Sequence, residues 1–162
     1  MLLRSSLALG LLLMMLATGV AFATPVPILR LETAGDDAVR PFDDGEGLVY
    51  SYRQSIYLVP VYEEFVRVND HIELLRVRSS DIRSVEYFRW DGVIARDAEG
   101  LWTEFAPRNA HRELVIRVVR DAEQRVATAR WSVDLATAFG EGVVTVRVEQ
   151  RPRLVTLLQG AG

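Results

Sequence analysis

The chain contains neither cysteine nor lysine. Without thiols there can be no disulfide, thiolate metal ligand, thiol nucleophile or lipid-acceptor cysteine, so burial has to supply the stability that crosslinks give many other small domains. Without lysine there is no Schiff-base chemistry. All 19 basic residues are arginine, which serves a solvated face as well as lysine does and can also bind carboxylate or phosphate in bidentate fashion. Histidine is scarce too: His71 and His111 stand alone, and neither has a second ligand at a short zinc spacing. Glycine-rich phosphate loops and a Gly-x-Ser-x-Gly nucleophile turn are missing as well. No metal, no cofactor and no catalytic residue is expected, and the chain reads as a non-enzymatic protein.

What is present begins with an export signal. Arg4 precedes an apolar run over residues 7–16, and Ala21 and Ala23 set small side chains at the two positions that a signal peptidase accepts. Cleavage after Ala23 is therefore expected, leaving a periplasmic or otherwise extracytoplasmic protein with no stable membrane insertion, the alternative being a leader retained as an uncleaved anchor. The expected organisation is a signal peptide over residues 1–23 and one β-rich domain over 24–162. The net charge of −3 becomes one unit more negative once Arg4 is lost, which gives no pull towards nucleic acid.

Beyond the leader the pattern is that of strands. Residues 27–31 suit an edge strand that tolerates Pro27. Residues 31–46 carry six acids against Arg40 alone and read as a solvated loop; the cluster Asp43, Asp44 and Glu46 lacks the ligand spacing of a calcium loop. Short β-branched or aromatic runs follow at 48–52, 56–59, 65–68, 72–77, 85–90, 101–105, 114–119, 126–133, 143–148 and 154–158, bounded by turn residues. The strict alternation of Leu114, Ile116 and Val118, and of Val144, Val146 and Val148, marks half-buried strands. Only residues 134–139 look helical, with Asp134 as cap and Gly140 as terminator. The expected fold is all-β: a single antiparallel sandwich or barrel-like domain with at most one short helix. Trp90, Trp102 and Trp131 are expected in the core, the alternative being that they line a ligand groove. Glu63 and Glu64 should point to opposite faces of their strand and so cannot share one site.

The stretch 48–68, with Tyr52, Ser55, Ile56, Pro60, Val61 and an acid at Glu63 or Glu64, resembles domain-of-unknown-function family 1850. Residues 72–77 and 112–118 resemble later strands of that family. Gln54 stands where most members have histidine. The resemblance implies a small exported protein, often encoded beside TRAP-type transporters that use TAXI solute receptors, and hence an envelope protein or transporter component as partner. Tyr52, Arg53, Gln54, Ser55, Pro60 and Glu63 are the candidate binding residues. The residues themselves also admit a purely structural corner, in which Tyr52 is buried, Gln54 and Ser55 satisfy turn amides and Gln54 can be replaced at little cost, whereas a recognition site would leave Arg53, Gln54 and Glu63 exposed. The function expected is an accessory or interaction module of the cell envelope, the alternative being a β-domain that binds a small or lipidic ligand.

Overall fold

The structure is a computed structural model that describes residues 24–107 and 109–153. The leader and the run at 154–158 lie outside those residues. Two antiparallel sheets face one another. The smaller has the order β2 (Asp37–Pro41), β1 (Pro25–Glu32), β12 (Gly142–Pro152), β9 (Glu113–Val118). The larger runs β11 (Ser132–Asp134), β10 (Arg125–Ala127), β3 (Gly47–Arg53), β4 (Pro60–Val68), β5 (His71–Ser79), β7 (Trp102–Phe105), β6 (Ala95–Arg96), with the short β8 (Ala110–His111) also on β5. The all-β sandwich expected from the turn-punctuated runs is the fold observed.

Period-two patterning decides which side chains meet between the sheets. Ile116, Val118, Val144 and Val146 point inward and are buried, as their alternation predicts, while Val115 and Val143 face out. They meet Leu48, Phe65, Ile72 and Val126 of the larger sheet, with Leu29 and Leu31 of β1, in one core. The larger sheet extends past the smaller one. Its remaining inner face is covered by the segment after β5, where Val61, Val77 and Val85 form a second cluster against which Tyr52, Phe88, Trp90, Ile94 and Trp102 pack. Trp131 packs on the main core, its indole N–H donating to the Pro41 carbonyl at 2.9 Å. All three tryptophans are half-buried.

Four expectations fail, each for a local reason. The acidic run after residue 31 is not all loop: it turns through Thr33, whose hydroxyl accepts from the Gly35 and Asp36 amides, and returns as β2. Residues 56–59 are not a strand. The register Arg53↔Pro60 closes the β3–β4 pair directly and leaves 54–59 as its connecting loop, with Leu58 held at φ 55°. The run at 85–90 is not a strand either, because Asp81 caps a helix, α1 (Ile82–Glu86), by accepting from the Arg83 amide at 2.9 Å. Together with α2 (Leu135–Phe139), which Asp134 caps as expected through the Thr137 amide at 2.8 Å, this makes two short helices rather than one. Finally, 126–133 is broken by a turn in which the Thr128 amide donates to Trp131 O at 2.9 Å, giving β10 and β11.

The edge strand β9 is closed by a side chain. Gln124 accepts from the Val119 amide at 2.7 Å and donates through Nε2 to the Arg117 carbonyl at 2.9 Å and the Tyr50 hydroxyl at 2.7 Å. Among the described residues no helix is long and apolar enough to cross a membrane.

Candidate functional site

The pleat of β3 and β4 separates the six candidate residues. Arg53 and Pro60 border an outer groove of about 580 Å³ that also includes Tyr62, Glu123, Arg125 and Asp134. Arg53 is already engaged there, donating to the Asp121 carbonyl at 2.9 Å and lying 3.4 Å from Glu123. Ser55 is exposed in the connecting loop. Gln54 is only 7% exposed, contrary to the expectation of a solvated side chain, because its Oε1 accepts from the Ser84 hydroxyl of α1 at 2.6 Å. The same residue anchors the loop through its backbone, with Gln54 N to Val59 O and Leu58 N to Gln54 O both at 2.9 Å. Replacing Gln54 by alanine leaves the fully buried Ser84 hydroxyl without this acceptor. A loss of about 1–2 kcal/mol in urea unfolding is the expected result.

Tyr52 and Glu63 turn the other way, onto the inner face. There the ladder registers Tyr50↔Glu63, Glu63↔Val77 and Val77↔Glu104 draw a single row across β3, β4, β5 and β7. Glu63 sits on the seam between the two apolar clusters. Burial pushes its pKa from 4.5 up to about 7, and the Tyr52 hydroxyl hydrogen bond offsets only part of that. The Tyr52 phenol is itself pushed up, first by burial and then by the neighbouring Glu63 charge. The Tyr50 and Tyr52 rings lie 5.1 Å apart.

Glu64, one residue on, points outward as expected and meets the opposite treatment. It accepts from Arg76 at 2.7 Å and Arg78 at 2.8 Å, and Arg78 goes on to Asp97 and Glu99, each at 2.7 Å. Burial works against ionisation of Asp97, but the Leu101 amide, the Thr103 hydroxyl and Arg78 together hold its pKa down to about 2. The acids at 43–46 are likewise used structurally: Asp43 and Glu46 pair with Arg130, and Asp44 accepts from the Asn69 amide at 2.8 Å.

The histidines lie elsewhere. His71 contacts Asp70 and Glu73, each at 3.3 Å, and His111 sits on β8 opposite Ile72. Among the described residues no cluster of three or more His, Asp or Glu is placed to hold a metal ion. The sequence reading missed Tyr50, Ser84, Glu104 and Gln124. The alternation of Tyr50 with Tyr52 was a usable signal for the first, whereas the other three are brought in by segments whose position no local pattern encodes. No family profile, curated protein or solved structure matches the chain.

Proposed function

We propose that the chain is an exported, non-enzymatic interaction module of the cell envelope, a member of domain-of-unknown-function family 1850 that acts beside a TRAP-type solute transporter. Export rests on the leader pattern, and the family and transporter association rest on residues 48–68. The observation that carries the interaction reading is a fixed apolar corner. Ile56 and Leu58, on the β3–β4 loop, are 63% and 65% exposed, and Tyr87, just after α1, is 64% exposed. The loop and helix are held together by the Gln54–Ser84 hydrogen bond and by the Arg83 guanidinium, 4.4 Å from the centre of the Tyr57 ring. Large apolar side chains held rigidly in water favour association, because covering them releases hydration at little cost in ordering. The alternative of a tryptophan-lined ligand groove is disfavoured by the packing of Trp90 and Trp102 on the second cluster and of Trp131 on the main core.

A photoreactive phenylalanine analogue at Leu58, irradiated in intact cells, should yield one main adduct that mass spectrometry identifies as a transporter subunit or its solute receptor. Ile56→Asp should remove most of that adduct while changing stability by no more than about 0.5 kcal/mol. Adducts scattered over abundant envelope proteins, or no adduct at all, would overturn the reading.

A further inference from the structure

Glu63 is an uncompensated carboxylate in a chain that compensates many of its other acids. Glu32, Glu46, Glu64, Glu99, Glu149 and Asp97 each meet an arginine. Among the described residues no arginine or histidine forms an ion pair with Glu63, and its ionisation responds only to burial and to the Tyr52 hydroxyl. Glu63 is half-buried on the inner face, and a charge drawn away from water normally has a partner. A charge kept without one, where an apolar side chain would pack more favourably, is the kind of local inconsistency that functional sites retain.

The surroundings of Glu63 suggest what the missing partner is. Glu104, at the far end of the same row, is fully buried; one of its oxygens accepts from the Gly92 amide at 3.0 Å and the other has no partner. Glu63 is different because it borders a cleft of about 240 Å³ between the edge of β9 and the inner face of β3 and β4. Tyr50, Phe65, Leu114 and Ile116 form its walls, with Val115 and Arg117 also lining it. On β9 the alternation that buries Ile116 and Val118 sends Arg117 to the outer face.

One carboxylate with tyrosine hydroxyls offers too few oxygens for a hard metal ion, which needs about six or more. An anion would meet the Glu63 charge. A carboxylate beside aromatic and aliphatic walls is the donor set for an organic ammonium: the charge meets the carboxylate, the rings attract the cation, and the alkyl body covers the leucine and isoleucine. We propose that the Glu63 cleft is a binding site for a small organic cation, an ammonium group on a short apolar body. The site is independent of the apolar corner and of the proposed interaction there.

The titratable groups facing Glu63 are Tyr50 and Tyr52 from β3 and Glu104 across Val77, while Arg117 lines the cleft from β9 with its side chain on the outer face. Burial raises both tyrosines, so across neutral pH the site's charge changes at Glu63. A bound ammonium favours the ionised carboxylate, and affinity rises with pH through the Glu63 range.

The test is a titration of the isotope-labelled protein with n-butylammonium followed by NMR, with n-butanol and butyrate as matched neutral and anionic probes. Saturable shifts confined to the cleft residues, seen with n-butylammonium and absent with butyrate, are expected. Glu63→Gln should weaken binding by about tenfold or more, the loss of one charge-assisted contact. The carboxyl resonance of Glu63 should titrate at lower pH when n-butylammonium is bound, a readout on the unaltered protein that does not depend on the Gln variant. Equal binding of n-butanol, unchanged binding by Glu63→Gln, an unmoved Glu63 titration, or no saturable shift would each overturn the proposal.

Discussion

Replacing Phe42 by alanine should lower the unfolding free energy by about 4 kcal/mol, enough to leave the fold marginal at body temperature. Phe42 is fully buried and packs in the main core beside Leu29, Leu48 and Phe65. Its backbone also ties three elements together: the amide donates to the Pro27 carbonyl of β1 at 3.5 Å, and the carbonyl accepts from the buried Arg67 of β4 at 3.1 Å. Alanine keeps those backbone groups and loses the ring, leaving a cavity at the place where the β1–β2 hairpin closes over the larger sheet. Denaturant unfolding measures the loss through the midpoint, the slope being nearly unchanged if the native packing elsewhere survives. A midpoint equal to the wild type would mean that the ring is not part of the core.

Glu63→Gln should do the reverse, stabilising the protein by about 3 kcal/mol at about pH 8 and having almost no effect near pH 4. The carboxyl titrates at about 7 in the fold against 4.5 in a solvated chain, so between those values the folded state holds a proton that the unfolded chain has released. The contribution of Glu63 is therefore most favourable below the unfolded value and is lost as pH rises through the folded one. Glutamine stays neutral at every pH and can still accept from the Tyr52 hydroxyl, which removes the penalty above neutrality while keeping the shape. Acids whose values are lowered by arginine or backbone partners, such as Asp97 and Glu149, work in the opposite direction, which is why the variant must be compared with the wild type at each pH. Urea unfolding of both proteins across that range gives the difference directly. A constant offset at all pH values would show that the carboxyl titrates normally in the fold.

Phe42 and Glu63 also mark where the sequence could and could not be read. Alternation exposed β9 and β12 because one face of each meets the core and the other meets water. Phe42 escaped because it is a lone aromatic in acidic surroundings; what buries it is the hairpin formed by β1 and β2, a contact with no periodic signal. Residues 56–59 have strand-like composition but no free ladder, since pairing of Arg53 with Pro60 already closes the hairpin. Val85 belongs to a helix because the Asp81 cap fixes the chain direction there, outweighing β-branched propensity over a few residues. Of the candidate residues, the opposition of Glu63 and Glu64 followed from the pleat alone. That Glu63 would lie between two apolar clusters depended on how far the smaller sheet reaches across the larger.

The side chain of Gln124 has a consequence for solubility. The free margin of β9 offers backbone donors and acceptors beside the exposed Val115, Val119 and Val143, the combination from which neighbouring chains stack strand on strand. By bonding the Arg117 carbonyl and the Val119 amide, the Gln124 amide takes the positions that a foreign strand would need at that point. One polar side chain thus acts as a surrogate strand, and it keeps an apolar margin from becoming a seed for polymerisation at high protein concentration.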